Sequence, residues 1–178
     1  YVVIDKLKNT NMKKIGIFYG STTGTTESVA NFIAKSLGLT SDHVRSVNEM
    51  TPEMIAEYEV LLLGTSTWGV GELQEDWYGG IDTLKKSDLK GKVIAIFGCG
   101  DSVSFSSTFC SAMAEIYKAV KDRGNLIVGT VPTDGYTYDD SDAVVDGQFV
   151  GLAIDEMNEA DKTGTRVESW MNEIRSFL

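Results

Sequence analysis

The stretch Gly20-Ser21-Thr22-Thr23-Gly24-Thr25-Thr26 sets five hydroxyls directly after an apolar run and directly before a helical pattern that begins near Glu27. Such a loop can bind a phosphate. N–H groups at a helix start lack intrahelical acceptors, the helix dipole is positive there, hydroxyls donate, and glycine permits close approach. The loop contains no lysine or arginine. A nucleotide-hydrolysing loop would read GxxxxGK followed by Ser or Thr, and a dinucleotide fingerprint would read GxGxxG; neither occurs. Gly98-Cys99-Gly100 begins like the second, but Val103 stands where the third glycine belongs. A phosphate bound without an ion pair suits a terminal monophosphate held in place rather than one being transferred. The competing reading is a Ser/Thr-rich cap that serves only its own helix.

Two further loops carry aromatic groups among glycines and polar residues. Ser66-Thr67-Trp68-Gly69-Val70-Gly71-Glu72-Leu73 follows one apolar run, and Gly98-Cys99-Gly100-Asp101-Ser102-Val103-Ser104-Phe105 follows the next. Trp68 could cover a flat ring or close over the hydrophobic core. Cys99 reads as a small buried side chain rather than a nucleophile.

The elements that must position these loops are legible as period and length. Ile15 to Tyr19, Val60 to Leu63, Val93 to Phe97 and Leu126 to Val131 are short apolar runs, each ending at Gly, Ser, Thr or Pro, and they predict strands buried on both faces. A weaker strand spans His43 to Val47, and Thr51-Pro52 opens a short helical turn. Helices follow from Val29, Phe32, Ile33 and Leu37, from Phe109, Met113, Ile116, Tyr117 and Val120, and from Val167, Trp170, Met171, Ile174 and Leu178. Thr165 and Glu168 form a capping box that predicts the start of the last helix. Strands alternating with helices imply α/β architecture: a doubly wound, five-stranded parallel sheet with helices on both faces. The polar, acidic stretch 133–147 interrupts the pattern as an insertion that splits or follows the fifth strand.

The chain of 178 residues suits one domain. Residues 1–11, ahead of Met12, read as a tag, a linker remnant or part of a precursor, and 12–178 as the folded unit. The net charge of −10 argues against nucleic acid and anionic lipid as partners, and no apolar run approaches the ~20 residues a membrane helix requires. Two cysteines, Cys99 and Cys110, with neither a CxxC pair nor a zinc-like spacing, fit a reduced, cytoplasmic chain.

In sequence order these motifs resemble the flavodoxin family over residues 12–178. Gly20 to Thr26 is similar to its phosphate loop, Thr67 to Leu73 to its first flavin loop, and Gly98 to Asp101 to the start of its second. The segments Thr133 to Tyr136 and Phe149 to Ala153 resemble the insertion of its long-chain branch. The resemblance implies the strand order 2-1-3-4-5, for which a flavodoxin is itself the type example, with FMN in the crevice beyond the strand ends. It further implies that Ser21, Thr22, Thr23, Gly24, Thr25 and Thr26 bind the FMN phosphate. Ser66, Thr67, Trp68, Gly69, Val70, Gly71, Cys99, Gly100, Asp101 and Phe105 would surround the ring, with Trp68 on one face and Phe105 on the other. The second stacking position is usually tyrosine, so Phe105 is a departure.

The resemblance implies a low-potential one-electron carrier that is a monomer, not an enzyme, and that shuttles electrons from a flavodoxin reductase to acceptor proteins. The Gly69-Val70 peptide is expected to turn a carbonyl toward the ring and so stabilise the semiquinone. The phosphate and the carboxylates of Asp101, Glu72, Glu75 and Asp76 would disfavour further negative charge, and with Asp134, Asp139, Asp140 and Asp142 would steer basic redox partners. An FMN-dependent quinone reductase on the same fold is the alternative; it needs one ring face open.

Overall fold

The computed structural model describes residues 12–178, so the reading of residues 1–11 as a tag, linker or precursor remnant lies outside the described residues. Five parallel strand positions form the central sheet. β1 (Ile15–Gly20) pairs with β2 (Val44–Ser46) on one side and β3 (Val60–Trp68) on the other. β3 then pairs with β5 (Val93–Cys99), while β4 (Glu72–Leu73) folds back on the end of β3 as an antiparallel strand. The fifth position is shared by β6 (Leu126–Val128), against the first half of β5, and β10 (Leu152–Ile154), against its second half. With antiparallel β4 set aside, β5 counted as the fourth parallel strand and the shared fifth position counted once, the order is 2-1-3-4-5, as expected.

Helices α1 (Thr25–Ser36) and α5 (Ala160–Ile174) cover one face. α2 (Pro52–Glu57), α3 (Asp76–Lys86) and α4 (Met113–Val120) cover the other. Alternation along β1 feeds both layers: Ile15 and Ile17 meet α1 and α5, and Phe18, next after Ile17, meets the opposite layer. Both cores hold an indole tied to backbone. Trp77 Nε1 donates to the Gly64 carbonyl at 2.7 Å, and Trp170 Nε1 to that of Gly129 at 2.9 Å, which satisfies the polar end of each buried ring.

Several boundaries differ from the sequence reading. Leu126 to Val131 is not one strand, because Gly129 at φ +81 turns the chain out of the sheet after Val128. The insertion continues from there as β7 (Val131–Pro132), β8 (Val144–Val145) and β9 (Gln148–Phe149), a small antiparallel sheet in the order β7-β9-β8. It therefore splits the fifth strand. The last helix begins at Ala160, so Thr165 and Glu168 lie inside it and form no cap. β3 and β5 run on through Ser66-Thr67-Trp68 and Gly98-Cys99, making these residues strand ends rather than loop. Helix α3 has no counterpart among the sequence expectations, because Gly79-Gly80 interrupts its apolar spacing.

Candidate functional site

Three segments meet where β1, β3 and β5 end. Gly24 is the N-cap of α1 at φ +91, a conformation glycine adopts without penalty, and the turn before it is closed by the Gly24 N–H donating to Ser21 Oγ at 3.1 Å. No side chain caps α1, so N–H groups of its first turn are left for another acceptor. Thr26 is fully buried, and its Oγ1 has no hydrogen-bond partner. The adjacent Cys99 thiol is a weak partner at best; burial pushes that thiol up to about 12, an effect the Thr26 hydroxyl opposes. Leaving a buried hydroxyl unpaired costs about 1–3 kcal/mol, so such a group calls for a ligand.

The first aromatic segment is a hairpin. The Gly71 N–H donates to the Trp68 carbonyl at 3.1 Å, with Gly69 at φ +50 and Val70 between them, and β4 returns so that Glu72 faces Trp68. Positive φ at the first central residue is what a tight hairpin turn of this kind requires, and glycine supplies it. Trp68 Nε1 donates to Ser66 Oγ at 2.9 Å, which fixes the plane of an indole that remains 40% exposed. Thr67 Oγ1 accepts the Ala112 N–H at 3.2 Å and ties the strand end to the start of α4.

The second aromatic segment is shaped by Asp101. Its Oδ1 accepts the N–H groups of Ser104 at 2.8 Å and Val103 at 3.1 Å, and the Phe105 N–H donates to the Asp101 carbonyl at 3.1 Å. Hydrogen bonds to the charged form, the Ser104 N–H foremost, hold the Asp101 carboxyl below the usual carboxylate range. The loop thus presents Phe105 half-exposed on the cleft that Trp68 also lines. Behind it the insertion acts as a buttress: the Asp139 and Asp140 N–H groups donate to the Ser106 carbonyl, and Ser141 Oγ donates to the Phe109 carbonyl. Phe109, Tyr136, Tyr138 and Phe149 pack there as one aromatic cluster.

Together these segments enclose a cleft of about 320 Å³. Thr23, Thr25, Ser66, Thr67, Trp68, Gly69, Cys99, Gly100, Asp101 and Phe105 line it, as the sequence reading grouped them. Ser21 and Gly24 shape the turn before α1, and Thr22 Oγ1 accepts from Gln74 Nε2 at 3.4 Å. Val70 projects from the hairpin tip into solvent, and Gly71 closes the turn. Glu156 and Met157, from the turn between β10 and α5, complete the wall and were absent from the sequence reading. The available signal was a polar DEMN stretch directly after the apolar Phe149 to Ile154 run, at a strand's carboxyl end. Of the anticipated acidic rim, Glu72 and Glu75 stand beside Trp68 on its outer side. Among the described residues no helix is long and apolar enough to cross a membrane, and no group of histidine, cysteine and acidic residues could hold a metal ion.

The chain is similar in sequence and fold to known proteins. The flavodoxin family model matches residues 17–170. A Synechocystis flavodoxin is 42% identical over 94% of this chain and 99% of its own length, and Flavodoxin 1 of Azotobacter vinelandii is 46% identical over 90% and 94%. Among solved structures, a Fusobacterium nucleatum flavodoxin bound to flavin mononucleotide superposes with a TM-score of 0.86 at 34% identity, covering 94% of this chain and 99% of that one. With a family match over most of the chain, relatives spanning nearly its whole length and the aromatic cleft at the strand ends, the chain belongs to the flavodoxin family.

Proposed function

We propose that the cleft between Trp68 and Phe105 holds one FMN without a covalent bond, and that the protein carries single electrons between partner proteins. The observation that carries this reading is the Thr26 hydroxyl, fully buried and unpaired at the uncapped start of α1, beneath a slot walled by two aromatic side chains. The group fits the residues present. Thr23, Thr25, Thr26 and the first-turn N–H groups of α1 supply neutral donors for a phosphate dianion, and Trp68 and Phe105 supply π faces for a planar ring. Bound there, FMN supplies a redox centre able to accept electrons one at a time.

The chain's own groups select that behaviour. Gly69, at positive φ on the cleft edge, lets the Gly69-Val70 peptide present either its carbonyl or its N–H at little cost, which matches a ring whose hydrogen-bonding character changes with its redox state. Asp101 and Glu156 place carboxylates on the cleft wall without a lysine or arginine among the lining residues, so added negative charge is disfavoured and the potential is held low. Aromatic cover on two sides leaves the cleft suited to electron transfer through its exposed edge rather than to a second stacked substrate. The acidic residues flanking that edge suit basic partners, a reductase on one side and acceptors on the other, meeting a monomer in the cytoplasm. The small sheet β7-β9-β8 fits the long-chain branch of the family.

An anaerobic reductive titration with spectrophotometric readout tests this. Yellow protein reduced in two resolved one-electron steps supports the proposal. One two-electron step defeats the carrier role, and a colourless protein that cannot be reconstituted with FMN defeats the cofactor assignment.

A further inference from the structure

Asp155, at the end of β10, is a buried carboxylate with no accessible surface and no ion-pair partner among the described residues. An unpaired buried carboxylate is tolerated only when hydrogen bonds replace the lost water. Its donors come from two places. Ser102 contributes its N–H at 3.1 Å and its Oγ at 2.5 Å, both to Oδ2. Asn158 contributes its N–H at 3.1 Å to Oδ1 and its side-chain amide at 3.0 Å to both oxygens. The same Asn158 amide reaches Asp101 Oδ1 at 2.9 Å. Residues 101–105 are thereby gripped at their start from the neighbouring strand, while Asp101 organises them from within.

We infer that Asp155 is a positioning residue for the cofactor: through Ser102 it holds the loop that carries Phe105 in the cleft-forming conformation before FMN arrives. This rests on FMN occupying the cleft. Without the grip, binding has to order the loop, and the conformational entropy of those residues is subtracted from affinity. The carboxylate's charge acts in the opposite sense. Asp155 and Glu156 both lie near enough to raise the thiol of Cys99, which lines the cleft, so each repels a phosphate dianion bound there. Removing the Asp155 charge alone would tighten binding; losing its hydrogen bonds would weaken it. The sign of the change separates the two roles.

The experiment compares Asp155→Ala, Ser102→Ala and Glu156→Gln with the unaltered protein. FMN affinity is read by quenching of flavin fluorescence, and amide hydrogen exchange is read on each apoprotein. Glu156→Gln removes a charge from the cleft wall without touching the loop, and is expected to lower the dissociation constant. Asp155→Ala is expected to raise it about tenfold or more, and Ser102→Ala a few-fold, both with faster exchange confined to residues 102–105, joined in Asp155→Ala by Asn158, whose N–H loses its acceptor. Exchange that is unchanged there, or an Asp155→Ala affinity that moves as in Glu156→Gln, overturns the inference. If Asp155→Ala does not fold, Ser102→Ala alone decides by the same two readings. Failure of the unaltered protein to bind FMN would instead refute the cofactor assignment, while the exchange data on apoprotein still report on the grip.

Discussion

Replacing Thr26 with valine should move two quantities in opposite directions. Valine matches threonine in shape and in β-branching, so α1 keeps its packing against β1 and the change reduces to exchanging Oγ1 for a methyl group. In the apoprotein that oxygen is fully buried with no partner. Removing an unsatisfied buried hydroxyl recovers about 1 kcal/mol, the low end of its desolvation penalty. For a domain of this size that raises the melting temperature by about 2–4 °C. With FMN bound the same oxygen would donate to a charged phosphate, a bond worth about 1.5–3 kcal/mol, so the dissociation constant should rise by roughly one to two decades. Calorimetric melting of apoprotein and an FMN titration supply both numbers. Were Thr26 only a helix cap, its loss would lower apoprotein stability by about 1 kcal/mol. A falling melting temperature, or a rising one with unchanged FMN affinity, refutes the assignment of Thr26 to the phosphate.

Two other predictions concern the loops. At Gly69, φ is +50 and an added Cβ would stand 2.5 Å from Glu72 Oε2, a side-chain end that can swing away, so the penalty is mainly backbone. Gly69→Val should cost about 1–2 kcal/mol and lower the melting temperature by a few degrees, while Gly69→Asn, which tolerates left-handed backbone, should cost less; equal melting temperatures would count against the turn geometry. Gly69→Val should also shrink the separation between the two one-electron steps in a redox titration, and an unchanged separation would argue against a role for that peptide. The second concerns Asp101, whose folded-state pKa is depressed. Its contribution is complete above the unfolded value near ~3.9 and is lost as pH falls through the lower folded value. The melting difference between the unaltered protein and Asp101→Ala should hold steady from neutral pH to about pH 5 and close below about pH 4, and a difference that is constant through acid would refute the role of the ionised carboxylate.

What could be known from sequence alone was whatever repeats locally. Ile15 to Tyr19 and Val93 to Phe97 are apolar at every position because both faces of a central parallel strand are buried, and that needs no knowledge of neighbours. The hydroxyls of Ser21 to Thr26 and the turn chemistry of Trp68 to Gly71 are likewise written in consecutive residues, so the hydroxyl-rich turn before α1 and the first aromatic segment were legible. Helix α3 was not, because its inward side rests on Trp77, Gly80 and Leu84, too sparse a stripe once glycines interrupt it. Nor was the true start of α5, since Ala160 to Gly164 contains no large apolar residue and the Thr165–Glu168 pair mimics a cap. Only the tertiary structure decided that β10 lies beside β5, with Leu152 opposite Phe97 and Ile154 opposite Cys99. That pairing carries Asp155 to Ser102 and Asn158 to Asp101, across 53 and 57 residues of chain, and brings Glu156 and Met157 to the cleft. Contacts of that span depend on which strand edge remains free when the sheet assembles, a property of the whole sheet that no local periodicity records.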